Sequence, residues 1–138
     1  MRELKTLDRD GEKQTFFYEY EVSDIDNHKE FSKQMLVFLY ADIKKTGDFF
    51  QTTLFFNKNY MQVVMMTHNH DSRYVAKGIP EALIHEFATI FDTVVYSSKN
   101  IGASSGEYRE ACADKYWKRL IEVNRAKYND KEDFYYTI

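Results

Sequence analysis

The sequence has few of the residues that cross-link or interrupt a chain: one cysteine, one proline and five glycines in 138 residues. The single cysteine, Cys112, excludes an intramolecular disulfide and any zinc site that needs two cysteines, and it favours a reducing compartment. No apolar run is long enough to span a bilayer. The segment Met1–Lys13 is too charged for a signal peptide, so we expect a cytoplasmic protein with no membrane partner.

Neither sign of charge dominates the sequence. The 19 basic and 22 acidic residues give a net charge of −3. This is not the basic surface that binds nucleic acid, so nucleic acid is not an expected partner. Hydrophobic residues make up 43% of the chain, and aromatic residues make up 17%. This composition predicts one globular domain over residues 1–138 that is rich in strands.

Apolar and alternating runs in the first half of the chain predict four strands and one short helix. The predicted strands are Gln14–Val22, Met35–Ile43, Asp48–Phe56 and Tyr60–His68. Short polar segments, KKTG and NKN, separate the last three strands and are typical of hairpins, so an antiparallel meander is expected. The short helix is predicted after Ser23 or Asp24, either of which can cap it.

The hydrophobic period changes in the second half of the chain. The segment PEALIHEFATIF predicts a helix that begins near Pro80, and a strand follows at Asp92–Ser98. A strand, a helix and a strand in this order predict a crossover that lays the new strand parallel to Val63–Thr67. A second helix, with the capping-box form Ser104-x-x-Glu107, and a closing hairpin complete the chain. The predicted fold class is α+β, with a mixed, mostly antiparallel sheet flanked by helices.

Apolar spacing predicts which side chains form the core. Helical periodicity places four side chains against the sheet: Leu83, Phe87, Trp117 and Leu120. The strands also contain aromatic pairs that place one ring on each face: Phe16-Phe17, Phe49-Phe50, Phe55-Phe56 and Tyr135-Tyr136. A core on one face does not explain both rings of a pair. The second set of rings is therefore expected to line a groove, a second helix layer or a protein partner.

The densest polar chemistry is the segment His68, Asn69, His70 and Asp71 at the end of a predicted strand. In an extended chain, His68 and His70 lie on the same side about 7 Å apart. Three interpretations are open: solvated strand-end residues, a proton-handling site and a metal site. The spacing does not match the His-x-His-x-Asp-His pattern of metallo-hydrolases. No metal is therefore expected, and a metal-dependent hydrolase is the least favoured function.

The order of predicted elements resembles the GNAT acyltransferase fold: strand, short helix, meander, helix opened by a glycine, parallel strand, helix and hairpin. The segment RYVAKGIPEALIHEF places Gly78 at the first glycine of the family's Arg/Gln-x-x-Gly-x-Gly/Ala pattern. Val75 stands where that pattern has Arg or Gln, and Pro80 stands at its second small residue. From VVYSS onward the chain is similar to compact GNAT-like proteins of phages and prophages, in which a Ser-Ser pair ends the strand and a Trp precedes a basic-Leu pair.

The resemblance implies a binding site for acetyl-CoA. The backbone amides of the turn and first helical residues would hold the pyrophosphate, at Gly78, Ile79 and Ala82. The strand that contains Val64, Met65 and Thr67 would pair with pantetheine, with Ser97 on the neighbouring strand.

The resemblance also implies how protons move. His68 or His70 would remove a proton from the amine substrate. In many members of the family a tyrosine on the last helix protonates the departing thiolate. Trp117 stands at the aligned position, and an indole cannot supply that proton. Tyr116 is the adjacent phenol and the candidate for this role.

The first interpretation of function is an acyl-CoA-dependent N-acyltransferase that transfers the acyl group directly to an amine, with acyl-CoA and an unidentified amine as substrates. The alternative is a non-catalytic binding or inhibitor protein on the same scaffold, for instance a phage protein. Its partner would be another protein, and a homodimer is compatible with the sequence. The fold alone does not distinguish the two functions.

Overall fold

A computed structural model of the chain describes residues 1–66, 72–98 and 111–138. These residues form an α+β fold with one eight-stranded mixed sheet and two helices. The strands are β1 (Arg2–Leu7), β2 (Lys13–Asp24), β3 (Lys33–Tyr40), β4 (Phe50–Phe56), β5 (Tyr60–Met66), β6 (Val94–Tyr96), β7 (Ala126–Asn129) and β8 (Phe134–Thr137), and the helices are α1 (Ile79–Ile90) and α2 (Ala111–Glu122). The spatial order is β1-β2-β3-β4-β5-β6-β8-β7.

The parallel pair predicted from the sequence is confirmed. β5 and β6 run parallel, with Tyr60, Met61 and Gln62 opposite Val94, Val95 and Tyr96. The other neighbouring pairs among the described strands are antiparallel. β6 is shorter than the predicted strand Asp92–Ser98, and its ladder pairs with the beginning of β5 rather than with Val63–Thr67.

β1 is a strand that the sequence patterns do not predict. Its buried residues are Leu4 and Thr6, and charged or polar side chains alternate with them. Two buried positions among charged neighbours give a weak hydrophobic pattern, which is common in edge strands. The pairing of β1 with β2 and its contact with α1 hold it in place.

The short helix predicted after Ser23 or Asp24 is wrong. β2 continues through both residues, and residues 25–32 form a loop closed by a backbone hydrogen bond of 2.9 Å between its first and last residues. The Asp24 carboxylate accepts a hydrogen bond of 2.6 Å from Lys33 on the neighbouring strand instead of capping a helix. The connection between β2 and β3 is therefore a loop.

Both helices pack on the same face of the sheet. The Phe87 ring of α1 lies 5.8 Å from the Tyr18 ring of β2. The Trp117 ring of α2 lies parallel to the Tyr135 ring of β8, also at 5.8 Å. Burial raises the pKa of Tyr18, and its hydroxyl donates a hydrogen bond of 3.0 Å to Glu86 of α1. We call this side the helix face.

The core prediction is confirmed. The four predicted side chains are all at most 1% exposed: Leu83, Phe87, Trp117 and Leu120. Burying a large apolar side chain contributes about 1.5–3 kcal/mol. The two helices also contact each other, because Nε of Arg119 donates a 2.6 Å hydrogen bond to the Glu81 carboxylate. The core thus joins both helices to the sheet as one packed unit.

The opposite side of the sheet carries a row of half-buried aromatic rings. We call it the open face, because α1 and α2 both lie on the helix face. Its rings are Phe17, Phe38, Tyr40, Phe55, Tyr60, Tyr96, Phe134 and Tyr136. Tyr60 and Tyr96 lie 5.2 Å apart, and Tyr96 and Phe134 lie 5.4 Å apart. The prediction that aromatic pairs place rings on both faces is confirmed.

The two helices differ in whether the residues before their first turn are described. α1 begins after Gly78, with Pro80 in its first turn. α2 is described from Ala111, so the predicted capping box at Ser104 and Glu107 lies outside the described residues. Neither described helix has the length and apolar character that a membrane crossing requires.

Candidate functional site

β5, the strand predicted to hold the cofactor, contains a β-bulge. Thr53 of β4 pairs with Met65, and Leu54 pairs with Val63, so Val64 is an extra residue without a partner on β4. The buried Thr52 hydroxyl donates a 2.7 Å hydrogen bond to the Met65 carbonyl. A bulge bends its strand and increases the local twist. Past the bulge the ladder with β4 resumes at Met65 and Met66, with its register shifted by one residue.

The contact between β5 and β6 changes at the same level of the sheet. Their ladder ends at Gln62 and Tyr96, although β5 continues to Met66. Beyond the ladder, the Ser98 hydroxyl donates a 2.6 Å hydrogen bond to the Val63 carbonyl. A side chain thus occupies the place of the next backbone donor. The backbone ladder of β5 and β6 thus ends beside the bulge, and a side-chain hydrogen bond continues the contact between them.

Ser97 forms hydrogen bonds on the other side of β6, with β8. Its N–H donates to the Tyr135 carbonyl at 2.9 Å, and its hydroxyl accepts the Tyr135 N–H at 2.8 Å. Both contacts tie the end of β6 to β8. The residue predicted to contact the cofactor is thus buried and bound to backbone on the β8 side.

The turn before α1 packs against β1. Gly78 has a φ of +75°, in the left-handed region, and a β-carbon there would overlap the carbonyl oxygen of Leu7. Ile79 is fully buried, and Ala82 packs beside the core. The Ala82 N–H donates a hydrogen bond of 3.1 Å to the Gly78 carbonyl, and this is the first backbone hydrogen bond of α1. The predicted cofactor residues therefore form two groups, one at β5 and β6 and one where α1 meets β1.

Residues 72–77 are fixed to the connection between β3 and β4. The buried Tyr74 hydroxyl donates to the Asp48 carbonyl at 2.5 Å and accepts the Ala41 N–H at 3.2 Å. Nη1 of Arg73 donates to the Thr46 carbonyl at 3.0 Å. These contacts orient the turn that leads into α1.

A pocket of about 430 Å³ lies between this turn and β2. It is lined by Gln14, Thr15 and Phe16 of β2 and by Ser72, Arg73 and Lys77 of the turn. Oε1 of Gln14 is buried and has no hydrogen-bond partner among the described residues. The same is true of Oγ1 of Thr6, which lies directly across the β1–β2 ladder from Gln14. Leaving a buried acceptor unpaired costs about 1–3 kcal/mol. We call this cavity the Arg73–Lys77 pocket.

Sequence reasoning did not identify this pocket. Arg73 and Lys77 precede the glycine turn, and two cations beside a helix start are a signal that could have been used. No pattern in the sequence connects Gln14 to them, because the contact depends on β2 lying beside a turn far along the chain.

Tyr116 and Trp117 are both buried in the core. Trp117 is fully buried and stacks on Tyr135, and Tyr116 is 8% exposed. Adjacent helical residues point about 100° apart. Packing in the core thus explains why a tryptophan stands at position 117. The Tyr116 side chain leaves the helix in a different direction.

The remaining predicted site residues, Thr67, His68 and His70, lie outside the described residues, as do Asn69 and Asp71. Among the side chains of residues 1–66, 72–98 and 113–138, no three of the types His, Cys, Asp and Glu come together to hold a metal. No family model, curated protein or solved structure matches this chain, so its function is inferred from its own geometry.

Proposed function

We propose that the protein is an acyl-CoA-dependent N-acyltransferase that transfers an acyl group directly to an amine. The observation that carries the proposal is that β5 continues past its ladder with β6, beside the bulge at Val64. The parallel β5–β6 pair and the elements after β5, which are helix, strand, helix and hairpin, also support the proposal, because the GNAT-like resemblance implies the same order there.

The chemistry of pantetheine suits a strand segment that extends past its ladder. Its two amides can pair with exposed strand backbone in the way that an added strand does. β5 continues for four residues past its ladder with β6, from Val63 to Met66. The first turn of α1 would attract the pyrophosphate through its positive end. Pro80 lacks an N–H, so this helix start offers one donor fewer than a start without proline.

The reaction needs one base and one acid. The base, His68 or His70, takes a proton from the ammonium form of the substrate, and the free amine attacks the thioester carbonyl. A C–N bond forms, the C–S bond breaks, the CoA thiolate leaves with the electron pair, and the nitrogen releases its second proton to solvent. Tyr116 is the proposed donor of a proton to that thiolate.

Acetyl-CoA binding tests the proposal. We expect a Kd of about tens to hundreds of micromolar by calorimetry, since the turn has lost one donor and Val75 replaces a cationic or amide side chain. Adenosine 3′-phosphate 5′-diphosphate, which keeps the pyrophosphate of CoA but lacks pantetheine, is the matched ligand and should bind at least about tenfold more weakly if β5 holds the arm. Equal affinity for the two ligands would contradict a site at β5 and β6.

Turnover separates the two histidines. With acetyl-CoA and a panel of primary amines, either His68→Gln or His70→Gln should lower kcat by about 10²- to 10⁴-fold. Affinity for acetyl-CoA should stay unchanged in both variants, because neither side chain is assigned to cofactor binding. The histidine that is not the base serves as the control for the other. Unchanged turnover in both variants would remove their proposed role.

The open face favours a second candidate, a binding protein that docks a partner on these rings. Phe49 is 42% exposed beside the rings of Phe38 and Tyr40. The loop at residues 25–32 covers only one part of this face, where Phe31 packs on Tyr60 and Phe55. A row of half-buried rings with the exposed Phe49 beside it fits an interaction surface. Absence of acetyl-CoA binding would leave this candidate as the better one.

A further inference from the structure

The open face contains a region without charged side chains, which we call the neutral band: the open-face positions of β3, β4, β5, β6 and β8. Among the described residues, these positions hold aromatic, apolar, amide and hydroxyl side chains. We propose that the neutral band is the interface of a homodimer, in which two copies of the chain pack their sheets face to face. The proposal requires neither acyl transfer nor a bound cofactor.

Exposed apolar side chains lie at separate points along the neutral band. Met65 of β5 is 49% exposed, and Val94 of β6 is 36% exposed. Phe49, directly before β4, is 42% exposed and borders the band. The loop at residues 25–32 covers one corner of the band. An uncharged apolar surface that spans several strands fits an interaction surface.

The rings of the band contact one another edge to face. The planes of Tyr60 and Tyr96 make an angle of 75°, and those of Tyr96 and Phe134 make an angle of 65°. Near the start of β4, the planes of Phe38 and Phe49 make an angle of 73°. Bases stack on the open faces of rings, which this arrangement does not present side by side. Another sheet suits the uneven surface better, because packed sheets interdigitate their side chains.

The chemistry of the band is complementary to itself. Its polar groups are amides, such as those of Gln51 and Gln62, and hydroxyls, and each of them both donates and accepts hydrogen bonds. A second copy brings the same groups, so no charge is buried and no like charges meet in the centre of the interface. A strongly charged partner would instead bury its charges against a surface that offers none of opposite sign.

The two margins of the neutral band carry opposite charges. On one side, the open face of β2 carries Glu19 and Glu21. Glu19 is paired with Lys45 at 2.6 Å, whereas Glu21 is exposed. On the other side, β7 places the exposed Lys127 opposite Tyr136 of β8. A second copy can therefore match an acidic margin with a basic one.

A two-fold axis along the strands brings these margins together. β5 is the middle strand of the seven from β2 to β7 in the sheet. Rotation about an axis along β5 places β7 of one copy over β2 of the other. Glu21 is level with Met65 across the ladders, and Lys127 is level with Gln62, so the two charges lie at neighbouring levels of the sheet. The pair forms twice, because a two-fold interface repeats each contact.

The area of the band is sufficient for a dimer. Strands lie about 4.8 Å apart and rise about 3.3 Å per residue, so five strands of about six residues cover roughly 500 Å². Two copies would bury about 1,000 Å², which is the lower limit for a specific interface. We therefore expect a reversible dimer with a Kd of about 1–100 micromolar.

Sedimentation equilibrium of the full chain, without ligand, tests the proposal. We expect a monomer–dimer equilibrium that Val94→Lys weakens at least about tenfold, because the variant places a charge inside the interface. Val123→Lys makes the same change at a side chain that is 59% exposed just after α2, and it should alter the Kd less than about twofold. Circular dichroism should show that both variants are folded, since both positions are exposed in one copy.

A charge exchange tests the orientation of the two copies. Glu21→Lys and Lys127→Glu should each weaken the dimer about threefold or more, because each places like charges opposite one another at both margins. The double variant should restore the Kd to within about twofold of the original value, because the charges again have opposite signs. Losses that add in the double variant would contradict the two-fold arrangement along the strands.

Two results would overturn the dimer. One is a single monomeric species up to about 500 micromolar, well above the Kd expected for the buried area; the open face would then be left to the partner of the second candidate function. The other is a dimer that Val94→Lys does not weaken, since its interface would lie elsewhere. Acetyl-CoA is absent from these measurements, so failure of the dimer and failure of acyl transfer are observed separately.

Discussion

The glycine at position 78 is explained by packing alone, without a bound ligand. The resemblance assigns its small size to the approach of a pyrophosphate. In the structure, the space where a side chain would begin is occupied by the Leu7 carbonyl. Glycine is therefore required for the contact between α1 and β1, whether or not a ligand binds.

Two glycine variants measure this requirement. Gly11 also has a positive φ, of +82°, but nothing lies within 4 Å of a β-carbon built there. Gly11→Ala should cost about 1–2 kcal/mol for the left-handed conformation alone. Gly78→Ala should cost about 3 kcal/mol or more, because the Leu7 backbone must also move. Equal losses in urea unfolding would show that β1 yields without strain.

Asp42 gives a prediction about pH. The Thr46 hydroxyl is the largest cause of its lowered pKa. Since the folded-state pKa lies below the unfolded value of about 3.9, the stabilisation is present above that value and is lost as pH falls through the folded pKa. Thr46→Val should raise the Asp42 pKa in a carboxyl NMR titration. Thr89→Val, whose hydroxyl bonds to the His85 carbonyl, should leave it unchanged.

At the scale of elements, each helix packs a fully buried leucine into the core. Leu83 of α1 and Leu120 of α2 are 0% and 1% exposed. Leu83→Ala and Leu120→Ala should each lower the free energy of unfolding by about 2–5 kcal/mol, because each leaves a cavity in the core. Ile90→Ala, at a side chain that is 37% exposed, should cost clearly less. Denaturant titration measures all three, and similar losses would mean that the helix faces are misassigned.

The elements that could be predicted from sequence are those with a strong hydrophobic period. Both helix faces and the meander β3–β4–β5 follow from such patterns. The parallel placement of β6 follows from the order strand, helix, strand. The bulge at Val64 could not be predicted, because the register with β4 determines it and not the local residues. The same holds for the pocket, which Gln14 and Lys77 line together only because β2 lies beside the turn.

At the scale of the whole molecule, one sheet runs from β1 to β7 without interruption. Trp117 is the sole tryptophan and lies near the β8 end of it. We therefore expect tryptophan fluorescence and far-UV circular dichroism to give the same unfolding midpoint in denaturant, as a single cooperative domain requires. Two separate midpoints would show that the β7–β8 end unfolds independently of the rest.

The position of β8 has a consequence for biosynthesis. β8 lies between β6 and β7, yet the ribosome delivers it after both. Until Phe134–Thr137 has emerged, the nascent chain presents an unpaired β6 edge, and Trp117 lacks the ring on which it stacks. Exposed strand edges and apolar rings are what chaperones and proteases meet in unfinished chains. A transcript truncated before β8 should therefore yield a product that the cell degrades rather than a shorter stable protein.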